Sequence, residues 1–206
     1  MLTKKQLGIL KVFRENLLRR ISFSDLKKEL KEKSSSKLQR TILNFKEEDL
    51  IKIEKIGKTN LISLNYDNNK LFYYLSIFNL ESNASMPFNI LCKIQQEILK
   101  ETEFFSLVVF GSYTKGESTK KSDLDVALII ESDEIKNRII PRINSIKRRE
   151  LQRIDMHIFT RKEFLEMLRD EKENLGKEIV RNNFIIYGLI NFYKLILKEV
   201  GNVRFS

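Results

Sequence analysis

The stretch "FGSYTKGESTKKSDLDVAL", Phe110 to Leu128, puts two glycines, Gly111 and Gly116, into a loop of hydroxyls and lysines, then adds two aspartates one residue apart, Asp123 and Asp125. "FFSLVVF" precedes it, short, apolar and rich in branched and aromatic side chains, the composition of a buried strand. A strand running into a glycine turn and then a helix presents backbone N–H groups to an anion. The ATPase phosphate loop is excluded, because it requires Gly-Lys-Ser/Thr at its end and here Gly116 is followed by Glu117 and Ser118. "SDLDVALII" is strand-like, and strand side chains alternate faces. Asp123 and Asp125 therefore project from one face, and Leu124, Val126 and Leu128 from the other, into a core. Two adjacent carboxylates repel unless a cation sits between them. Mg²⁺ suits the place, being bound by one or two carboxylates together with substrate phosphates and water. The plain alternative is an exposed Asp-x-Asp on an edge strand beside an ordinary loop.

Gly111-Ser112 followed, after an eleven-residue step, by Ser122-Asp123-Leu124-Asp125 resembles the signature of the DNA polymerase beta-like nucleotidyltransferase superfamily. The short "GSYTKG" loop is similar to the minimal nucleotidyltransferases of prokaryotes, including the antitoxin halves of toxin–antitoxin pairs. The resemblance covers about residues 88–170. It implies that Gly111, Ser112, Lys115 and Ser122 bind a nucleoside triphosphate, ATP first among them, and that Asp123 and Asp125 hold divalent metal. Many minimal members carry arginine where this chain has Lys115, which keeps the charge but lacks the bidentate fork. The resemblance also implies a third carboxylate on a nearby strand. In "ELQRIDMHIFT", Asp155 alternates with Ile154 and Met156 and is the choice; Glu150 sits at the strand's start and is the weaker one. His157 shares the face of Asp155 and reads as a surface or supporting residue. Two Mg²⁺ ions are implied, with Mn²⁺ as the substitute. Between the strands, "ESDEIKNRIIPRINSIKRRE" reads as a solvated helix ending in the basic cluster Lys147, Arg148 and Arg149, either a plain charged face or a group that reaches the nucleotide or the acceptor.

The formal net charge is +10 over 206 residues, unevenly placed. Residues 1–66 hold 16 Lys/Arg against 8 Asp/Glu, and residues 67–206 hold 22 against 20. An anionic partner for the N-terminal third, nucleic acid first, is expected from that asymmetry. The pattern there is helix, helix, helix, hairpin. Thr3 and Gln6 form a capping box, and Ile9, Leu10, Phe13 and Leu17 line a helical face. "SFSD" starts a second helix, and a third carries Leu38, Ile42 and Phe45. "IKIEKI" and "LISLN" alternate with period two around a turn. This order resembles a winged helix-turn-helix, which implies that Ser35, Ser36, Lys37 and Arg40 face a major groove while Lys55 and Lys58 sit on the wing near phosphates. A winged helix used for protein contact is the alternative.

The expected architecture is α+β. A winged helix domain at 1–66 and a connecting helix and linker at 67–87 precede a small mixed-sheet nucleotidyltransferase domain with C-terminal helices at 88–206. The segments "RKEFLEMLRDEKENLGKEIVRNN" and "FIIYGLINFYKLIL" read as helices, the second packing in a core or a homodimer interface. One cysteine, Cys92, excludes an intrachain disulfide and fits a reducing compartment. No segment reaches the roughly 20 apolar residues of a membrane span, and the expected location is cytoplasmic. Two function classes follow. One is a metal-dependent nucleotidyltransferase acting on a protein or nucleic-acid hydroxyl. The other is a DNA-binding regulator or antitoxin, partnered by a toxin-like protein, whose transferase domain senses nucleotide or is inactive.

Overall fold

Thr3 opens α1 (Lys4–Arg14) by a reciprocal cap: its N–H donates to Gln6 Oε1 at 2.8 Å, and the Gln6 N–H donates back to Thr3 Oγ1 at 3.4 Å. The computed structural model describes residues 3–14, 19–81, 86–119 and 122–200. It divides into two units, Met1–Ser82 and Asn83–Ser206. In the first unit Ile9, Leu10 and Phe13 are buried as the spacing predicts, and Leu17 lies outside the described residues. A two-residue strand, β1 (Ile21–Ser22), has no signature in the sequence pattern. Its Ser22 caps α2 (Phe23–Glu29) by accepting the Asp25 N–H, and Ser34 caps α3 (Ser35–Glu47) by accepting that of Lys37. Each such cap satisfies a donor that the helix itself leaves unpaired. Leu38, Ile42 and Phe45 form the buried face of α3. β2 (Ile51–Ile56) and β3 (Thr59–Leu64) pair antiparallel across the turn Gly57-Lys58, and β1 adds to the other edge of β3. α4 (Asn69–Glu81) buries Leu71, Phe72 and Leu75 and packs on α1.

The second unit begins with α5 (Phe88–Leu99), which buries Leu91, Ile94 and Ile98. β4 (Ser106–Val109), α6 (Ser112–Lys115), β5 (Leu124–Ile130), α7 (Asp133–Arg149) and β6 (Ile154–Thr160) follow. The chain continues through α8 (Arg161–Arg169), α9 (Leu175–Arg181), β7 (Phe184–Tyr187) and α10 (Leu189–Val200). The sheet order is β6-β5-β4-β7, with β5 and β6 parallel and the other pairs antiparallel. A parallel pair needs a long crossover, and α7 supplies it. One face of β5, Leu124, Val126, Leu128 and Ile130, packs with Leu91, Ile94 and Ile98 of α5 and with Ile139 and Ile143 of α7. α8 packs against β5 and β6, and α10 against α8 and β4. There Phe159, Phe164, Phe192 and Tyr193 form a chain of ring contacts. The α+β class holds, with a mixed sheet in the second unit. No helix among the described residues is long and apolar enough to cross a membrane.

Three expectations require correction. "FIIY", which the sequence pattern reads as helical, forms β7 on the open edge of β4; a four-residue apolar run has no period that separates strand from helix. The segment 161–183 is two helices, because Asn174 interrupts it. Its Nδ2 donates to the Met167 carbonyl at 2.7 Å, and its Oδ1 caps α9 through the Lys177 N–H. Finally, α7 is amphipathic rather than merely solvated. Ile139 and Ile143 are buried, and burying each contributes roughly 1.5–3 kcal/mol relative to exposure.

Candidate active site

Parallel pairing sets Asp125 of β5 directly opposite Asp155 of β6, roughly 4.8 Å apart in backbone terms. Both stand on the face away from the cluster that Leu124, Val126 and Ile154 join. Asp125 is half-buried, while Asp123 and Asp155 are exposed. Leu124 begins the ladder by donating to the Arg153 carbonyl at 2.9 Å. Phe110, just past β4, donates its N–H to the Asp125 carbonyl at 3.0 Å, which brings the glycine loop to the carboxylates.

Gly111 is required there for two reasons. Its φ of 68° and ψ of −145° lie where side chains clash with the backbone. A Cβ would also lie 2.1 Å from Asp125 Oδ2. Ser112 starts α6, and Thr114 Oγ1 donates to the Gly111 carbonyl at 2.8 Å, which braces the turn. Lys115 ends α6, with its Nζ 3.7 Å from Glu178 Oε1 of α9. Ser122 serves the loop's own geometry: its Oγ accepts the Thr119 N–H at 2.9 Å, and its carbonyl accepts Gln152 Nε2 at 2.6 Å.

The electrostatics single out Asp125. Burial raises its carboxyl above the ordinary range, Asp155 and then Asp123 add to that, the His157 imidazole opposes it, and Glu178 raises it further. His157 Nε2 lies 3.2 Å from Asp155 Oδ2, and its ring packs between Phe110 and Phe159 at centroid distances of 5.8 and 6.2 Å. Glu150 is engaged elsewhere, 2.6 Å from Lys93 Nζ. Glu178 is the residue that the sequence does not reveal. It lies 53 positions beyond Asp125 on a short helix, and nothing in its spacing marks it.

Among the described residues, no group of three or more His, Cys, Asp or Glu side chains is arranged to hold a metal ion. The donor set nonetheless fits a hard divalent cation. It consists of carboxylate oxygens only, and their mutual repulsion contributes to raising Asp125. Mg²⁺ commonly takes one or two carboxylates and completes its shell with water and substrate phosphate.

In the N-terminal unit, Ser35, Ser36, Lys37 and Arg40 are exposed on the first turns of α3, and Lys55 and Lys58 are exposed near the tip of the β2–β3 ribbon. Ser35 Oγ accepts Lys27 Nζ at 2.6 Å, and Lys37 Nζ lies 3.8 Å from Glu32.

Residues 91–185 match the family model described as nucleotidyltransferase domain, a little under half of the chain. The match supports the nucleotidyltransferase superfamily for this part of the molecule and nucleotidyl transfer as its general activity. No curated protein matches the chain.

Proposed function

We propose that the second unit moves a nucleoside monophosphate from a nucleoside triphosphate, ATP the first candidate, to a hydroxyl on a protein or nucleic acid. We propose further that residues 1–66 form a winged helix-turn-helix that binds nucleic acid. The single observation that carries the first reading is the approach of Gly111 to Asp125, with Asp155 in register beside it. A glycine that leaves no room for a Cβ against a carboxylate brings a phosphate-sized loop and a cation-holding pair to one point. Gly111, Ser112, Lys115 and Ser122 bind the triphosphate. Asp123, Asp125 and Asp155 would hold divalent metal, Mg²⁺ in two positions or Mn²⁺ in its stead. When bound, such ions offset charge on the attacking and leaving oxygens. Asp155, the exposed member of the pair, serves the acceptor side. His157 holds the Asp155 carboxylate through its 3.2 Å contact. The order helix, helix, helix, ribbon, with β1-β3-β2 pairing, supports the winged-helix reading.

Incubation with the four α-labelled triphosphates, Mg²⁺ and whole-cell extract tests transfer. Asp125→Asn is expected to weaken Mg²⁺-dependent binding of a non-hydrolysable triphosphate and to abolish labelling. Asp155→Asn is expected to abolish labelling while leaving that binding within a few-fold, since it removes a contribution made in the transition state. Equal loss of nucleotide affinity in both variants would refute the division of roles. Nucleotide binding without any label transfer would favour the sensor or regulator reading.

A further inference from the structure

The cations of α7 fall into two groups. Toward its N-terminal end every one is neutralised. Lys136 pairs with Glu163 at 3.0 Å, Arg138 with Glu101 and Glu134 at 3.2 Å, and Arg142 with Glu101 at 2.6 Å and Glu97 at 3.4 Å. Toward its C-terminal end, Lys147, Arg148 and Arg149 have no carboxylate partner among the described residues, and neither does Arg153 beyond the helix. Arg148 Nε donates to the Asn144 carbonyl, at 3.3 Å. The one acid in the stretch 147–153, Glu150, is taken by Lys93. Cations do favour a helix C-terminus. That accounts for the last turn of α7 but not for Arg153, nor for the absence of the carboxylates that serve the rest of the helix.

The position of the unpaired group is specific. α7 returns from the far end of β5 to the start of β6, so its last turn arrives at the end of the sheet where Asp155 stands. Two hydrogen bonds tie the stretch to the segment bearing Asp123: Leu124 N–H to the Arg153 carbonyl, and Gln152 Nε2 to the Ser122 carbonyl. Between Arg149 and Arg153 the Leu151 side chain is entirely exposed.

We propose that the acceptor is a single-stranded polynucleotide end, with Lys147, Arg148, Arg149 and Arg153 holding its phosphates beside Asp155. The inference rests on the transfer reading above and names its substrate class. Three of the four cations are arginines, whose planar forks match phosphate oxygens two at a time. Single-strand sites track the backbone with a cationic groove, and Leu151, apolar and exposed among these cations, leaves the track open to an incoming strand. A polynucleotide end supplies both the evenly spaced anions and the nucleophile. Its terminal hydroxyl oxygen bonds to the α-phosphorus, the bond from that phosphorus to the bridging oxygen breaks, pyrophosphate leaves with the electron pair, and the hydroxyl proton passes to water. An acidic protein surface is the competing acceptor, and the experiment separates the two.

The probe is a fluorescein-labelled 20-nucleotide single-stranded RNA, titrated against the full chain at several salt concentrations. Lys147→Gln/Arg148→Gln/Arg149→Gln is expected to lower the log–log salt slope by about 2, at roughly 0.7 per lost phosphate contact. Restoring arginine 148 and 149 as lysine should recover most of that slope. In label transfer to the same RNA, the triple variant should show a KM raised tenfold or more with kcat within about twofold. Its affinity for a non-hydrolysable triphosphate should be unchanged. An unmoved slope and KM, with nucleotide binding intact, would overturn this inference alone. So would label that enters protein and never RNA. Failure of the unaltered chain to bind nucleotide would overturn the transfer reading and this inference together.

Discussion

At the scale of single residues, Asp125 pays for its position. Burial, Asp155 and Asp123 raise its carboxyl, so the folded chain holds that proton more tightly than the unfolded chain does. The sign follows by linkage. The contribution to stability is favourable below the ordinary aspartate range and is lost as pH rises through the elevated folded value. At neutral pH the ionised group therefore opposes folding until a cation joins it. Asp125→Asn is expected to raise the thermal midpoint at pH 7, without divalent metal, by about 2–4 °C for each kcal/mol of strain relieved. The gain should shrink as the buffer is taken down through the aspartate range. Mg²⁺ should raise the midpoint of the unaltered chain and leave that of the variant nearly still. Scanning calorimetry at pH 7 and pH 3.5 decides it, and a variant less stable at both would contradict the electrostatic account. Strand alternation fixes the faces of Asp125 and Asp155, which both interrupt apolar runs, but that their strands lie side by side is implied only by the family resemblance and is seen in the register. The arrival of Glu178 was not legible, because it depends on where α9 docks, and no local period records docking.

Elements show the same division. A helix with a capped start and a regular apolar stripe, such as α3, is readable from residue spacing. β7 was not, since four apolar residues fit either period and only the uncovered edge of β4 selects the strand. The turn after it is fixed by Gly188. Its φ is 72°, and a Cβ there would meet the Phe105 carbonyl oxygen at 2.1 Å. Its own carbonyl accepts both the Ser106 hydroxyl at 3.1 Å and the Phe192 N–H at 2.9 Å. One residue thus joins β7, β4 and α10. Gly188→Ala places a methyl against backbone that cannot rotate away, and a strained residue of this kind costs of order 1–3 kcal/mol. The expected outcome is a lower urea midpoint at unchanged m. A variant as stable as the parent would mean that the turn can shift at little cost.

On the scale of the whole molecule, the chain divides its charge as it divides its units, with the surplus of cations in residues 1–66. If that surplus serves nucleic acid, each phosphate contact adds about 0.9 to the salt slope on duplex DNA. Arg40→Ala/Lys55→Ala/Lys58→Ala in the full chain should lower the duplex slope by about 2.7 and leave triphosphate affinity unmoved. An unchanged slope would assign the N-terminal unit to protein contact instead. The helix–ribbon order of this unit was legible in the sequence, because its turns and caps are local. The second unit depends on pairings between distant residues, and one of them bears on synthesis. Val109 of β4 pairs with Phe184, 75 residues further on. At translation rates of roughly 5–20 residues per second, β4 therefore waits on the order of 4–15 s on the ribosome with one apolar edge open. The nascent chain spends that interval as a template for aggregation, and the yield of folded protein from a cell depends on how well that edge is shielded before Phe184 emerges.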